Sequence, residues 1–348
     1  MNLYYIIHKD MGIKDLIKTC EKTFGYSPKK VQLEDLKNKY VAIDTSLYMY
    51  RAKYSDNDCL RSFMTMIYKL LSNEIIPIFI FDGVSTNLKD AEKMKRKQRN
   101  EKIKIEIDKC NEVGDICRAQ ELSRQVIQIK EDDFRSLRSL FDYLCIGYDT
   151  IHDHEAEGFC AHLNKNGYVH YVMTEDTDVI PYGALYWLRG YSNSSNEMQL
   201  YSIKNIRKSF NYNTIRKSKA DYFYDDPTKF VNYCICLGTD FNKRLMTPLK
   251  AHKELLYYTP EETVKYMKLK FPDYDNIFNE ISGNNFNNID LSKYQVLKTM
   301  EPKEMLSKHI SIKMNIPGLL EYLNKNKLHE LMNHARRFYT IKQNYNIQ

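Results

Sequence analysis

Seven carboxylates in five short segments are the side chains of this sequence best suited to chemistry. They are Asp44 in VAIDTS, Asp82 in IFIFDG, Glu155 and Glu157 in HDHEAE, Asp176 and Asp178 in MTEDTD, and Asp240 in CLGTD. If these groups converge without matching cations, their mutual repulsion costs roughly several kcal/mol. Divalent metal ions would offset that repulsion. The ligand set indicates Mg²⁺ or Mn²⁺, because it contains only oxygen donors and no Cys or His at zinc spacing.

Four of these acids follow apolar runs of strand character. The runs YVAI, IIPIFIF and YVHYVM precede Asp44, Asp82 and the pair Asp176 and Asp178. In an open α/β sheet the carboxyl ends of the parallel strands form the edge where functional sites are built. Strand and helix patterns alternate before residue 87 and again after residue 140. We therefore expect an α/β fold with a central, mostly parallel sheet flanked by helices.

Residues 87–140 carry no strand pattern and are predicted to form a helical insertion. Between residues 89 and 104 there are eight Lys and Arg residues against three Asp and Glu residues. Lys89, Lys93, Arg96 and Lys97 share one face of a helix. A solvated helix is the alternative interpretation, but the position of this basic face directly after Asp82 favours contact with phosphate.

Each acid alone has a simpler explanation. An Asp after a strand often caps the next helix, and Glu155 and Glu157 could be first-turn acids favoured by the helix dipole. Two doublets spaced i, i+2 together with three single acids are not expected of independent caps. His152 and His154 flank the Glu pair, but we do not count them as ligands.

Composition narrows the classes of protein to which this chain can belong. The chain has 348 residues with 52 Lys and Arg against 45 Asp and Glu, a net charge of +7 that favours a polyanionic partner. Its eight cysteines form no CxxC pair and are interpreted as reduced core residues. No apolar run approaches the length of a membrane span, and residues 1–10 are too short for a secretory signal. Met11 is an alternative start. No GxSxG, P-loop or GxGxxG motif is present.

The order and wording of these segments resemble the flap endonuclease branch of the XPG family of structure-specific nucleases. The similar segments are MGIKDL, VAIDTSLYMY, IPIFIFDG with LKDAEKMKRK, HEAEGFCAHL, MTEDTDVIPYG and CICLGTD. The resemblance as a whole covers residues 11–258. The resemblance implies a PIN-like nuclease core, with residues 87–140 forming a helical arch over the site.

The resemblance also implies an activity: a metal-dependent endonuclease that cuts DNA at 5′ flaps and junctions during replication, recombination and repair. The seven carboxylates would hold two Mg²⁺ ions, with Mn²⁺ as a substitute, so that water is activated and the leaving oxygen is stabilised. The implied catalytic cations are Lys89 and Arg96, and the implied DNA contacts are Gly12, Tyr50, Lys93 and Lys97. For Tyr50 a place in the core is an equal alternative.

The carboxyl-terminal part departs from the family pattern. Residues 229–258 resemble the family's helix-turn-helix, but they contain no glycine in the turn where the family has two, so we expect weaker duplex binding and no potassium site. Residues 259–348 are predicted to be helical and rich in Lys and Asn, with no assigned role. The segment RRFYTIKQNYNIQ lacks the motif that docks on sliding clamps. We expect a monomer that binds branched or flapped DNA and no membrane.

Several alternatives remain open at this level. A 5′→3′ exonuclease or a four-way junction resolvase would use the same site. A single-strand RNase of similar fold is a further alternative, and so is a nucleic-acid-binding scaffold that has lost catalysis. The Lys, Asn, Ile and Tyr content and the missing clamp motif are typical of copies carried by large DNA viruses. Such a copy is expected in the host nucleus, with a cytoplasmic site of viral replication as the alternative.

Overall fold

A computed structural model describes residues 12–55, 58–83, 90–123, 126, 129–152, 154–212 and 226–346. For residues 90–93, 95–97, 211, 212 and 346 only the backbone is described. Within these ranges, no helix combines the length and the apolar character needed to cross a bilayer.

Seven strands form one mixed sheet. Their bounds are β1 Lys29–Gln32, β2 Lys39–Asp44, β3 Ile75–Asp82, β4 Gly147–Ile151, β5 Tyr171–Met173, β6 Tyr186–Arg189 and β7 Glu197–Ser202. Their order across the sheet is β1-β7-β6-β5-β2-β3-β4. Strand β7 runs antiparallel to β1 and β6, and the other four pairs are parallel. This sheet, flanked by helices, confirms the predicted fold class.

Helices surround the sheet and make up most of the carboxyl-terminal part. They are α1 Leu16–Lys22, α2 Thr45–Ser55, α3 Cys59–Ser72, α4 Asp90–Glu112, α5 Ile116–Ser123, α6 Glu131–Leu144, α7 Ala156–Lys165, α8 Ile203–Tyr212, α9 Pro227–Leu237, α10 Pro248–Leu255, α11 Pro260–Lys270, α12 Tyr274–Ile281, α13 Val296–Thr299, α14 Pro302–Glu304, α15 Ser311–Lys313, α16 Ile316–Lys325, α17 Met332–Arg336 and α18 Phe338–Asn346. Short 3₁₀ turns cover Leu33–Leu36, Thr177–Val179, Asn284–Asn288, Ser292–Tyr294 and His329–Leu331, and a π-helical turn covers Met305–Ile310.

The middle of the sheet is buried because β2 and β3 are almost continuously apolar. Residues 40–44 and 75–81 of these strands are buried. Parallel strands covered by helices have this uniform composition, whereas strands with one solvated face alternate. Phe79 of β3 stacks on Phe141 of α6 with ring centroids 4.5 Å apart, and Phe63 of α3 packs on both rings.

The predicted insertion divides into two parts. Helices α4 and α5 pack on each other around Ile103, Ala119 and Leu122, while Ile105 and Val113 are exposed. Helix α6 instead buries Leu137, Leu140, Phe141 and Leu144 in the main core. The sequence-based range of 87–140 therefore includes most of a core helix, and the helical pair that projects from the sheet ends before residue 131.

The carboxyl-terminal region shares the core of the nuclease-like part. The Tyr294 hydroxyl donates to Asp149 of β4 over 2.5 Å, and the Tyr40 hydroxyl of β2 donates to the Met300 carbonyl over 2.9 Å. The backbone N–H of Asn315 donates to the Tyr143 carbonyl over 2.7 Å. One hydrophobic cluster runs from Ile13 to Ile341. Residues 259–346 thus contribute side chains to the same core as the sheet.

The cysteines differ in exposure. Cys20, Cys59, Cys160, Cys234 and Cys236 are buried, Cys110 and Cys145 are partly exposed, and Cys117 is exposed. Burial raises the pKa of the five interior thiols, so these side chains stay protonated at neutral pH.

Candidate active site

Strand register brings three of the acidic segments together. Asp44 and Asp82 are the last residues of the neighbouring parallel strands β2 and β3. Ile43 pairs with Met173 at the end of β5, so the segment after β5 lies level with Asp44. The Thr174 hydroxyl donates to Asp44 Oδ2 over 3.0 Å and thereby joins these two segments.

Three of the acids accept a hydrogen bond from a backbone N–H at the start of a helix or a 3₁₀ turn. Asp44 Oδ1 accepts from the Leu47 N–H at the start of α2 over 3.4 Å, and Asp82 Oδ1 accepts from the Ala156 N–H at the start of α7 over 2.8 Å. Asp176 Oδ1 accepts from the Asp178 N–H over 2.9 Å. Capping and clustering are therefore compatible roles, because each bond fixes one carboxylate oxygen and so orients the other.

A compact oxygen-donor cluster lies where β3 meets α7. Carboxylate oxygens of Asp82, Glu155 and Glu157 all lie within 4.8 Å of one another. Glu155 and Glu157 are 7% and 6% exposed, whereas Asp82 is half-buried. Three carboxylate oxygens at this spacing, partly shielded from water, form a donor set suited to a hard divalent cation.

The electrostatics of Asp44 favour the same conclusion. Burial and the neighbouring charge of Asp82, with a smaller contribution from Asp176, raise the pKa of Asp44 to about 8, although its bonds from Thr174 and Leu47 oppose the shift. Without a cation, the protonated form of Asp44 is therefore preferred at neutral pH. A divalent cation beside these groups would restore the carboxylate, so the residues present fit a metal site.

Gly12 lies directly against the paired aspartates. Its φ is +72°, and a Cβ on it would lie 2.2 Å from Asp176 Oδ1 and 2.9 Å from Asp178 Oδ1. The N–H of the next residue, Ile13, donates to Thr177 Oγ1 over 2.7 Å. Only glycine combines this conformation with so close an approach. The amino-terminal segment from Gly12 onward thus forms part of the site.

The last predicted acid lies in the turn after α9. Asp240 is half-buried and follows Gly238. Later in the same turn, Arg244 Nη2 contacts Asp15 Oδ2 at 2.8 Å, which ties the turn to the amino-terminal segment beside Gly12. Helices α9 and α10 pack against each other, and residues 239–247 between them contain no glycine.

Glu175 is a buried acid beside the site that sequence reasoning missed. Its Oε1 accepts from Arg51 Nη1 over 3.1 Å and from the Gly190 N–H over 2.9 Å, and its Oε2 accepts from Arg189 Nε over 3.2 Å. Arg51 also donates to the Tyr191 carbonyl over 2.9 Å. Glu175 therefore fixes the MTEDTD segment between α2 and β6. The available signal was a third acid between Thr174 and Asp176.

The structure describes the side chains of only some of the residues that were predicted to contact DNA. Tyr50 on α2 is 44% exposed, so it does not belong to the core. Lys89 lies outside the described residues. Lys93, Arg96 and Lys97 lie in α4, where only the backbone is described at these positions.

Two family models match the chain. The XPG N-terminal domain matches residues 11–103, and the XPG I-region matches residues 152–240. Together they cover just over half of the 348 residues and contain all seven carboxylates.

The chain is also similar to individual relatives and to solved structures. The chain is 28% identical to flap endonuclease 1 of Methanococcus aeolicus over 317 residues, covering 85% of this chain and 86% of the relative. Its fold is similar to that of flap endonuclease-1 from Methanococcus jannaschii, with a TM-score of 0.59 at 19% identity, covering 92% of this chain and 99% of the other. It is also similar to the Holliday junction-resolving enzyme GEN1 in complex with product DNA, Mg²⁺ and Mn²⁺, with a TM-score of 0.58 at 16% identity, covering 92% and 77%.

Proposed function

This chain belongs to the XPG family of metal-dependent nucleases, and from that premise we propose that it cuts DNA phosphodiester bonds at 5′ flaps. It would act as a monomer on branched DNA, without a sliding clamp, in replication, recombination and repair. The observation that carries the proposal is the cluster of Asp82, Glu155 and Glu157 at one sheet edge, with Gly12 packed against Asp176 and Asp178 beside it.

The seven acids would hold two Mg²⁺ ions, with Mn²⁺ as a substitute. Bound there, the ions would activate water for attack on phosphorus and offset charge on the leaving oxygen. The chain's own residues do the positioning. Asp44, Asp82 and Asp176 are each fixed by a backbone N–H, and the Thr174 hydroxyl joins Asp44 to the MTEDTD segment. A preorganised carboxylate shell costs little reorganisation when the substrate binds.

Other residues would position DNA. The exposed ring of Tyr50 lies on α2, the helix that starts immediately after Asp44, and supports stacking on a base next to the cut bond. Helix α4 starts eight residues after Asp82 and carries Lys93, Arg96 and Lys97. With Lys89, these cations would attract the phosphates that the acidic site repels.

The second candidate is a four-way junction resolvase. The fold does not separate the two activities, because the TM-scores to flap endonuclease-1 and to GEN1 are 0.59 and 0.58. The α4 and α5 pair favours a flap, because a helical arch can accept a free 5′ end but hinders an uninterrupted strand. If the chain is viral, we propose that it acts in the host nucleus, with a cytoplasmic replication site as the alternative.

A cleavage panel tests the proposal. End-labelled 5′ flap, nicked duplex, four-way junction, single-stranded DNA and single-stranded RNA would be incubated with Mg²⁺ and with wild type, Asp178→Ala or Asp273→Ala. Asp273 is an exposed acid that forms no side-chain cap at the start of α12, so it is the matched control. We expect cutting at the flap base by wild type and Asp273→Ala only. Preferred cutting of the junction would establish a resolvase, and no cutting would support a scaffold.

A binding experiment tests the metal site without activity. In metal-free buffer, Asp82→Asn should melt at or above the wild-type temperature, because it removes the charge facing Asp44 and keeps an oxygen acceptor for the Ala156 N–H. Excess Mg²⁺ should stabilise wild type, by about 3 kcal/mol at a hundredfold excess over Kd. The variant should gain much less. An equal gain in both proteins would remove Asp82 from the ligand set.

A further inference from the structure

A large cavity opens at the sheet edge opposite the carboxylates. Its volume is about 830 Å³, within the usual range for small-molecule sites. Its lining includes Tyr186 at the start of β6, Ser202 at the end of β7 and Lys165 at the end of α7. Helix α7 has ten residues and begins beside Glu155, so its far end lies about 15 Å away at 1.5 Å per residue. The lining also includes Ile180, two residues after Asp178, but it contains none of the seven carboxylates, so the cavity and the acidic cluster are distinct sites.

The charged side chains that line this cavity, within the described residues, are all cationic. Its cationic lining residues are Lys29, Lys165, Lys204 and Arg207, and no Asp or Glu belongs to the lining within the described part of the chain. Helix α8 starts at its wall, at Ile203, and its amino terminus carries partial positive charge. Helix α9 also starts there, at Pro227, but its amino terminus is capped by the Asp226 carboxylate, which accepts from the Thr228 N–H over 2.7 Å. Cations gathered around a concave surface attract an anion.

The remaining lining suits a flat ring. Tyr26, Tyr186 and Phe278 contribute at least partly exposed aromatic side chains, with Tyr186 46% exposed, whereas Phe230 is only 2% exposed. Hydroxyl and amide groups, such as those of Ser202 and Asn205, supply hydrogen-bonding partners. Three accessible aromatic rings add nothing to a plain phosphate site, whereas a base stacks well on them.

We propose that this cavity binds a nucleotide, with its phosphate near the cations and its base against the aromatic rings. The concave shape and limited volume suit one or two nucleotides and exclude duplex DNA. The same chemistry is available from a free mononucleotide or from an unpaired nucleotide of a strand. The inference concerns a second site, and it is tested without relying on cleavage.

The test is calorimetric titration in EDTA, which removes metal-dependent binding at the acidic site. The probes are thymidine 5′-monophosphate, thymidine and inorganic phosphate. Lys204→Glu and Lys208→Glu form a matched pair, since both residues are exposed on α8 but only Lys204 lines the cavity. We expect the monophosphate to bind at least tenfold more tightly than thymidine or phosphate, and Lys204→Glu to weaken it at least tenfold while Lys208→Glu does not.

Three results would overturn the proposal. The first is no binding of the monophosphate. The second is an equal loss of affinity in both Lys variants, which would indicate only general charge attraction. The third is binding of inorganic phosphate as tight as that of the monophosphate. A 5′-phosphorylated trinucleotide separates the two sources. Tighter binding than the monophosphate, lost in Lys204→Glu, assigns the cavity to strands. Equal or weaker binding of the trinucleotide, with the monophosphate still bound, assigns it to free nucleotides.

Discussion

At the residue scale, Gly12 provides the sharpest test of the site. Gly12→Ala should reduce kcat/KM for flap cleavage by about 100-fold or more, because the added Cβ overlaps Asp176 Oδ1 and displaces the paired aspartates. Gly25→Ala is the control, since Gly25 has a similar φ of +69° but nothing within 4 Å of an added Cβ. Equal activities of the two variants would show that the contact with Asp176 has no catalytic role.

Glu175 should matter for stability. Glu175→Gln keeps the size of the side chain but leaves Arg51 and Arg189 without their carboxylate, and we expect a loss of about 2–4 kcal/mol in the free energy of unfolding. Urea denaturation measures this. Glu197→Gln is the control, because its pair with Lys30 is exposed and should contribute less than about 1 kcal/mol. Similar losses in both variants would contradict a special role for the buried carboxylate.

Individual residues also show where sequence reasoning stops. The strand-end positions of Asp44, Asp82, Asp176 and Asp178 could be predicted from the apolar runs before them. Glu175 could not, because Arg51 and Arg189 lie 124 and 14 residues away in the chain and only the fold brings them together. The exposure of Tyr50 was equally undetermined, since an aromatic residue in a helix suits the core and the surface alike.

At the element scale, α10 introduces a pH dependence. Burial against Phe24 and Phe210 lowers the pKa of His252 to about 4. The imidazole of His252 therefore binds a proton near pH 6.5 in the unfolded chain, but only near pH 4 in the folded chain. The contribution of neutral His252 to the free energy of unfolding is fully present above pH 6.5. It falls by about 3 kcal/mol as the pH drops from 6.5 to 4.

His252→Asn tests this contribution, because Asn cannot titrate. The free energy of unfolding, measured by urea denaturation from pH 8 to pH 4, should fall less steeply in the variant. Comparison with wild type isolates His252 from His162, His170 and His334, whose pKa values burial also lowers. Parallel curves for the two proteins would show that His252 is not buried in its neutral form.

Whether a helix or strand could be predicted from the sequence depended on how clear its hydrophobic pattern is. Strands β2 and β3 follow from uninterrupted apolar runs, whereas β1 carries a single buried residue in KKVQ and gives no period to detect. Helix α6 spaces Leu137, Leu140, Phe141 and Leu144 as one buried face, a pattern hidden by the charges that begin the helix. The end of the insertion could therefore have been placed earlier from sequence.

At the scale of the whole molecule, the carboxyl-terminal region and the sheet should unfold together. Phe286 is fully buried, with its ring 6.2 Å from Phe159 and its Cζ 2.7 Å from a Cβ built on Gly158. Phe286→Ala should cost about 3–5 kcal/mol. Trp187 in β6 is the single tryptophan and is buried, so its fluorescence should shift to the same lower midpoint as the circular dichroism signal.

Tyr339→Ala is the control for that experiment, because Tyr339 lies in the same region but is 38% exposed. It should move both midpoints little. If Phe286→Ala lowered the circular dichroism midpoint and left the Trp187 fluorescence transition unchanged, the carboxyl-terminal region would be an independently folding unit.

The distribution of the cysteines makes the chain its own probe of local opening. An alkylating reagent needs an accessible thiolate, so in the folded protein it reaches Cys117 first. The five buried thiols are spread over four helices, with Cys20 in α1, Cys59 in α3, Cys160 in α7, and Cys234 and Cys236 in α9. The order in which these thiols gain mass during slow labelling would rank the elements by their freedom to open.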